Sequence, residues 1–400
     1  MTDRKKSAKS LRQPCLISER SLKIPPFYVM EILEKAHNLE ASGADVVHLE
    51  IGEPDFPTPP QVVDAAVKAL YAGKTKYTHS QGIPELRGAI AQYYRATYGI
   101  DICPENILIT GGTSPAMVLV FSALLNPGDG VILTNPCYAC YPNIVEFVGG
   151  KPVYVEIREE EEFKLNPERL ARAIEESESL IKGIIINSPS NPTGTVLEPS
   201  DMEAIVKAAK DKWLISDEIY HGLVYEGRAS SILEFTDRCF VLNGFSKLFA
   251  MTGWRLGYVI CPPEFVRPIQ KIQQNLFICA NSFSQYAALS ALKETSANTK
   301  DMVQEYDRRR RFLIKGVREL GFGIAHEPKG AFYLFANAKR FTSDSYSFCL
   351  DVLSNAHVAL TPGIDFGPAG EGYVRFSYAN SMERIAEGLE RLKNYLGRHS

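Results

Sequence analysis

The 400-residue chain has no apolar run of membrane-spanning length, and its basic first segment, MTDRKKSAKSLRQPC, is not followed by an apolar core such as a secretory signal needs. A cytoplasmic location is therefore expected. Neither sign of charge dominates: 44 Lys and Arg against 47 Asp and Glu leave a formal net charge of -3 and a pI near 6.2. Without a basic field, neither a nucleic-acid partner nor a membrane surface is expected. The Arg308-Arg309-Arg310-Arg311 run then reads as a solvated helix face, and the Glu159 to Glu162 run, between glycine and proline signals, as an exposed loop. Among eight cysteines the one close pair is Cys137 and Cys140, with no second pair or neighbouring histidines, so reduced, mostly buried thiols are expected and a metal site is not. GxGxxG and GxxxxGK[ST] phosphate loops are both missing, as is any internal repeat.

What is present is a long α/β pattern. The length favours two lobes over a single core. Short β-branched runs read as strands at Asn106 to Thr110, Gly130 to Thr134, Lys151 to Val155, Gly183 to Asn187, Trp213 to Ser216, Cys239 to Asn243 and Leu256 to Cys261. Amphipathic stretches between them, such as Ala116 to Leu125, Pro167 to Glu176 and Pro199 to Lys210, read as helices, which predicts βα units on a mostly parallel sheet. After about residue 290 the pattern changes to a long charged helix, Asp301 to Leu320, and then to strands at Ala331 to Ala336 and Tyr373 to Tyr378. The expected division is a large domain at 46–290, with 1–45 and 291–400 forming a smaller α+β domain.

Ligands of open α/β sheets bind beyond the carboxyl ends of the strands, and three consecutive strands here deliver polar groups to one such edge: Asn191, Asp217 and Lys247. A fourth junction, Gly111-Gly112-Thr113-Ser114-Pro115, leads into an apolar helix. Ser114 is expected as its N-cap and Pro115 as its first residue, which makes an anion site of the backbone N–H groups.

The run from Asn243 to Tyr258, NGFSKLFAMTGWRLGY, places Lys247 and Arg255 at a spacing suited to an aldehyde-bearing phosphate cofactor, and it resembles the lysine signature of the class I/II aminotransferases. The resemblance extends from about residue 45 to 380 and implies a fold type I transferase dependent on pyridoxal 5'-phosphate (PLP). It implies that Lys247 forms an imine with the cofactor aldehyde and later shuttles a proton, while Arg255, Ser246, Gly112, Thr113 and Ser114 hold the phosphate. Asp217, in Ser216-Asp217-Glu218-Ile219-Tyr220, matches the partner of the pyridine nitrogen, with Glu218 pointing elsewhere. Asn191 and Tyr220 match the donors to the phenolic oxygen, and Tyr138 matches an aromatic stacked on the ring. Arg375, in Tyr373-Val374-Arg375-Phe376-Ser377, matches the clamp on the substrate carboxylate, and Gly52 belongs to a loop over the substrate. Tyr77 resembles a tyrosine that crosses to the phosphate of a neighbouring subunit, which implies a homodimer. One departure is Gly244, where many relatives have a hydroxyl for the phosphate; weaker cofactor retention is expected from it.

These motifs imply transfer of an amino group from an amino acid to a 2-oxo acid, 2-oxoglutarate being the expected acceptor, by ping-pong exchange. PLP-dependent β-lyases share most of them. A PLP-sensing regulator with an attached DNA-binding domain fits poorly, because about 25 residues before Pro25 are too few for a winged helix. The side chain of the donor is not legible, and no second cation opposite Arg375 can be identified.

Overall fold

The computed structural model describes residues 17–397; the segment from Met1 to Cys15 lies outside them. A seven-stranded sheet runs, edge to edge, through Ile107–Thr110, Gly257–Ile260, Cys239–Gly244, Trp213–Asp217, Ile181–Asn187, Gly130–Asn135 and Lys151–Glu156. Gly257–Ile260 pairs antiparallel with both of its neighbours, and all other pairings are parallel. The remaining six strands therefore point the same way and end on one edge.

The period of two in each strand separates two cores. Ile107, Ile109, Ile132, Ile184, Ile186, Leu214, Val241 and Tyr258 face one cluster. Their neighbours Leu108, Val131, Leu133, Ile185, Ile215, Leu242 and Val259 face the other, beneath the Thr113–Leu124 and Pro263–Leu276 helices. Burial on both faces explains why these strands read as continuous apolar runs. Each fully buried aliphatic side chain contributes about 1.5–3 kcal/mol as an upper estimate.

A separate cluster surrounds a three-stranded antiparallel sheet in which Tyr373–Ser377 lies between Tyr333–Asn337 and Thr361–Pro362. It gathers Ile32 and Ala36 from the Tyr28–Ala41 helix with residues of the Ser296–Glu319, Ser345–Ala356 and Met382–Leu396 helices. Ile219 and Tyr220 also join it.

Three local expectations need correction. Thr113 begins its helix with Gly112 as N-cap, so Ser114 and Pro115 lie within the first turn. A first-turn proline is tolerated because its missing N–H would have had no helical partner. The arginine run is not wholly solvated: Arg309 is 6% and Arg310 2% exposed, whereas Arg308 and Arg311 are exposed. Arg309 Nη1 donates to both carboxylate oxygens of Asp55 at 2.8 and 2.9 Å, while Arg310 reaches Glu226, Asp307 and the carbonyl of Pro328. Helical spacing turns two of four consecutive residues inward, and pairing with acidic partners offsets their desolvation. The glutamate run is also partly engaged, since Glu159 accepts from Tyr373, Asn337 and the backbone of Ala325.

Candidate active site

The strand ends converge on a cavity of about 280 Å³. Gly52, Thr113, Ser114, Tyr138, Asn191, Asp217, Tyr220, Ser246, Lys247, Arg255 and Arg375 all line it. Asp217 is the last residue of its strand, Asn191 follows the end of a second, and Lys247 lies three residues past Gly244 on a third. A parallel sheet with short connections is what brings groups separated by 56 positions in sequence to one edge.

Asp217 is buried. Tyr141 donates its hydroxyl to Oδ2 at 2.8 Å, and the backbone N–H of Ile219 reaches Oδ1 at 3.2 Å. Desolvation pushes the carboxyl up to about 6, against the pull of those two donors and of Lys247. Glu218 points away from the cavity into a buried group with Tyr94, Ser216 and Ser231.

The amine of Lys247 donates to the carbonyl oxygen of Gly52. Desolvation brings it down to about 8; Glu53 opposes the shift, while Arg375 and Arg255 assist it. A lysine near 8 keeps a useful neutral fraction at neutral pH.

Arg255 lies against the bare start of the Thr113–Leu124 helix. Gly112 adopts φ +111°, and a Cβ there would come within 2.9 Å of Arg255 Nη2. Glycine is favoured at this position by its positive φ, and it lets the guanidinium lie close to the backbone. The guanidinium and the first-turn N–H groups together form an anion cradle. Gly244 has its own steric reason: a Cβ would lie 3.0 Å from both Gly257 Cα and the Leu256 carbonyl oxygen. A side chain there would press on the paired strand.

Arg375 is buried, with Nη1 donating to Asn191 Oδ1 at 2.9 Å and Nη2 to Thr361 Oγ1 at 3.1 Å and to the carbonyl of Glu50. Among the described residues its Nε has no hydrogen-bond partner. The hydroxyls of Tyr220 and Tyr333 share a hydrogen bond of 2.7 Å, and Tyr333 lies under the Arg375 guanidinium at 4.2 Å. Tyr77 is not brought into this cavity; its side chain is 80% exposed. Sequence reasoning missed Tyr141, whose place one helical turn after Tyr138 was the available signal, and the apolar residues Phe27 and Met30, which carry no motif.

Among the described residues no group of acidic, histidine and cysteine side chains could hold a metal, and the seven described cysteines are unpaired. No described helix is long and apolar enough to cross a membrane.

Residues 44–392 match the family model for aminotransferase class I and II. The chain is 46% identical to the (5-formylfuran-3-yl)methyl phosphate transaminase of Methanocaldococcus jannaschii, over 96% of this chain and all of that protein. It is 38% identical to the aspartate aminotransferase of Pyrococcus horikoshii, over 95% of this chain and 97% of the relative. The solved aspartate aminotransferase of Thermus thermophilus with maleate superposes with a TM-score of 0.90 at 38% identity, covering 94% of this chain and 99% of that one. The fold is that of the fold type I transferases, and the family depends on PLP. The chain belongs to the class I and II aminotransferases.

Proposed function

We propose that this aminotransferase carries out its exchange between an amino acid and a 2-oxo acid in the cavity around Lys247, with Lys247 as the residue that holds PLP covalently and moves the proton. The carrying observation is the buried amine of Lys247, lowered to about 8 within one cavity that also holds Asp217, Arg255 and Arg375. The residues present fit the cofactor. Gly112, Thr113, Ser114, Ser246 and Arg255 would hold its phosphate, Asp217 would pair with its ring nitrogen, and Tyr138 would pack on its ring. The amide nitrogen of Asn191 would donate to its phenolic oxygen, as would the Tyr220 hydroxyl when Tyr333 is the donor in the bond they share.

When bound, PLP supplies an aldehyde that takes up the amino group and a ring that withdraws electrons from the substrate α-carbon. Asp217 keeps a proton on the ring nitrogen, and Tyr141 holds that carboxylate in place. Lys247, whose amine is lowered to about 8, would serve as the base that moves the proton of the substrate α-carbon. Arg375 would orient the substrate through its carboxylate, with the second hydrogen on Nη1 uncommitted and Nε buried without a partner among the described residues. Gly52 fixes the resting position of the lysine through its carbonyl.

The division into domains at 46–290 and at 1–45 with 291–400 is part of this reading, supported by the separate apolar cluster around Tyr333–Asn337 and Tyr373–Ser377. So is a homodimer with shared sites, supported by the exposure of Tyr77 outside the cavity of its own chain. A cytoplasmic setting is supported by the unpaired thiols.

The test is a single half-reaction. Holoenzyme mixed with an amino acid and no acceptor should release one 2-oxo acid per active subunit and leave its cofactor as the amine. Release of ammonia with a cofactor still in its aldehyde form would favour a lyase instead.

A further inference from the structure

The outer wall of the cavity is apolar and comes from a segment far away in sequence. Phe27, Val29, Met30 and Leu33, at the start of the Tyr28–Ala41 helix, line the same space as Lys247 and Arg375. This helix start has no cap of its own, because Phe27 at the N-cap position offers no acceptor. Asp365 supplies it from across the fold, accepting from the N–H of Tyr28 at 2.9 Å and of Val29 at 3.3 Å. The adjacent Phe366 lies 5.1 Å from the Arg375 guanidinium. The wall is thus tied, through two neighbouring residues, to the arginine proposed to bind the carboxylate. At its other end Phe27 meets Tyr138 edge to face, with ring centroids 6.2 Å apart.

Among the described residues of this chain, the charges in the cavity leave no cation to receive a second carboxylate. Its cations are Lys247, Arg255 and Arg375, each already given a role, and the remaining charged lining residues, Asp217 and Glu53, are acids. A distal carboxylate would lose hydration against apolar side chains and face a like charge.

We infer that the first turns of this helix form the side-chain subsite, which selects amino acids and 2-oxo acids with an apolar side chain, aromatic or branched, and rejects those with a second carboxylate. The inference rests on the proposed active site. Both halves of the exchange use one pocket, so it favours an apolar 2-oxo acid over 2-oxoglutarate as acceptor.

The experiment compares kcat/KM of the holoenzyme for phenylalanine, leucine, alanine and aspartate. It also compares calorimetric binding of two unreactive acids, 3-phenylpropionate and maleate. Phenylalanine or leucine should exceed aspartate by at least about tenfold, and 3-phenylpropionate should outbind maleate by a similar factor. Met30→Arg should shift both ratios toward the dicarboxylates by at least about tenfold, and Phe27→Ala should lower the phenylalanine-to-alanine ratio. Glu34→Ala, on the exposed side of the helix, should keep the wild-type ratios. Aspartate matching the apolar donors, or ratios unmoved in both cavity variants, would overturn the subsite while leaving transamination intact. If no donor reacts, the proposed reaction fails, and the two binding constants still decide the subsite.

Discussion

The hydroxyl of Tyr141 donates to Oδ2 of Asp217 over 2.8 Å, with both side chains buried. Burial alone would favour the neutral acid, and the carboxyl sits at about 6 because this donor and the Ile219 N–H partly offset desolvation. Asp217→Asn removes the charge while keeping the shape. Turnover should fall at least about a hundredfold, roughly 3 kcal/mol of transition-state stabilisation. A kcat within a few-fold of wild type would make Asp217 a structural residue. In Tyr141→Phe the ionised form loses a donor, so the carboxyl rises further. PLP affinity of the empty protein should then decline on acidification at a higher pH than in wild type.

The amine of Lys247 should titrate near 8 in the cofactor-free protein. Its neutral, reactive fraction grows as pH rises through that value instead of through the usual lysine range. Glu53 holds the amine up against desolvation, so Glu53→Gln should move the midpoint lower. Acylation rates at Lys247, followed by peptide mass against pH, give both midpoints.

Arg375→Lys keeps a positive charge but loses the guanidinium fork and its bonds to Asn191 and Thr361. Amino acids should lose kcat/KM by at least about tenfold, while amines without a carboxylate change little. Equal losses on both would indicate a folding defect.

Tyr77 tests the assembly. If it serves the neighbouring subunit, a hybrid of Lys247→Ala and Tyr77→Phe subunits contains one site with an intact lysine and an intact tyrosine. Mixing the two damaged parents should restore activity, with subunit exchange verified by native mass. No gain in a verified hybrid would assign Tyr77 to its own subunit.

The strands were legible because two-sided burial writes them as apolar runs such as Gly-Ile-Ile-Ile at 183–186, and the site because short connections put Asn191, Asp217 and Lys247 at strand ends. Residues whose role depends on distant packing were not. Arg309 and Arg310 looked solvated because their partners Asp55 and Glu226 lie 254 and 84 positions away. Ser114 has the chemistry of an N-cap, but with Gly112 at φ +111° in the N-cap position the helix starts two residues earlier. The wall of Phe27 and Met30 was invisible because its cap, Asp365, comes from the other end of the chain.

The central claim is that Lys247 holds the cofactor. Borohydride reduction of the holoenzyme, digestion and mass mapping should recover the pyridoxyl group on Lys247, and Lys247→Ala should carry no label and show no turnover. A label on any other lysine, or turnover in Lys247→Ala, would contradict it.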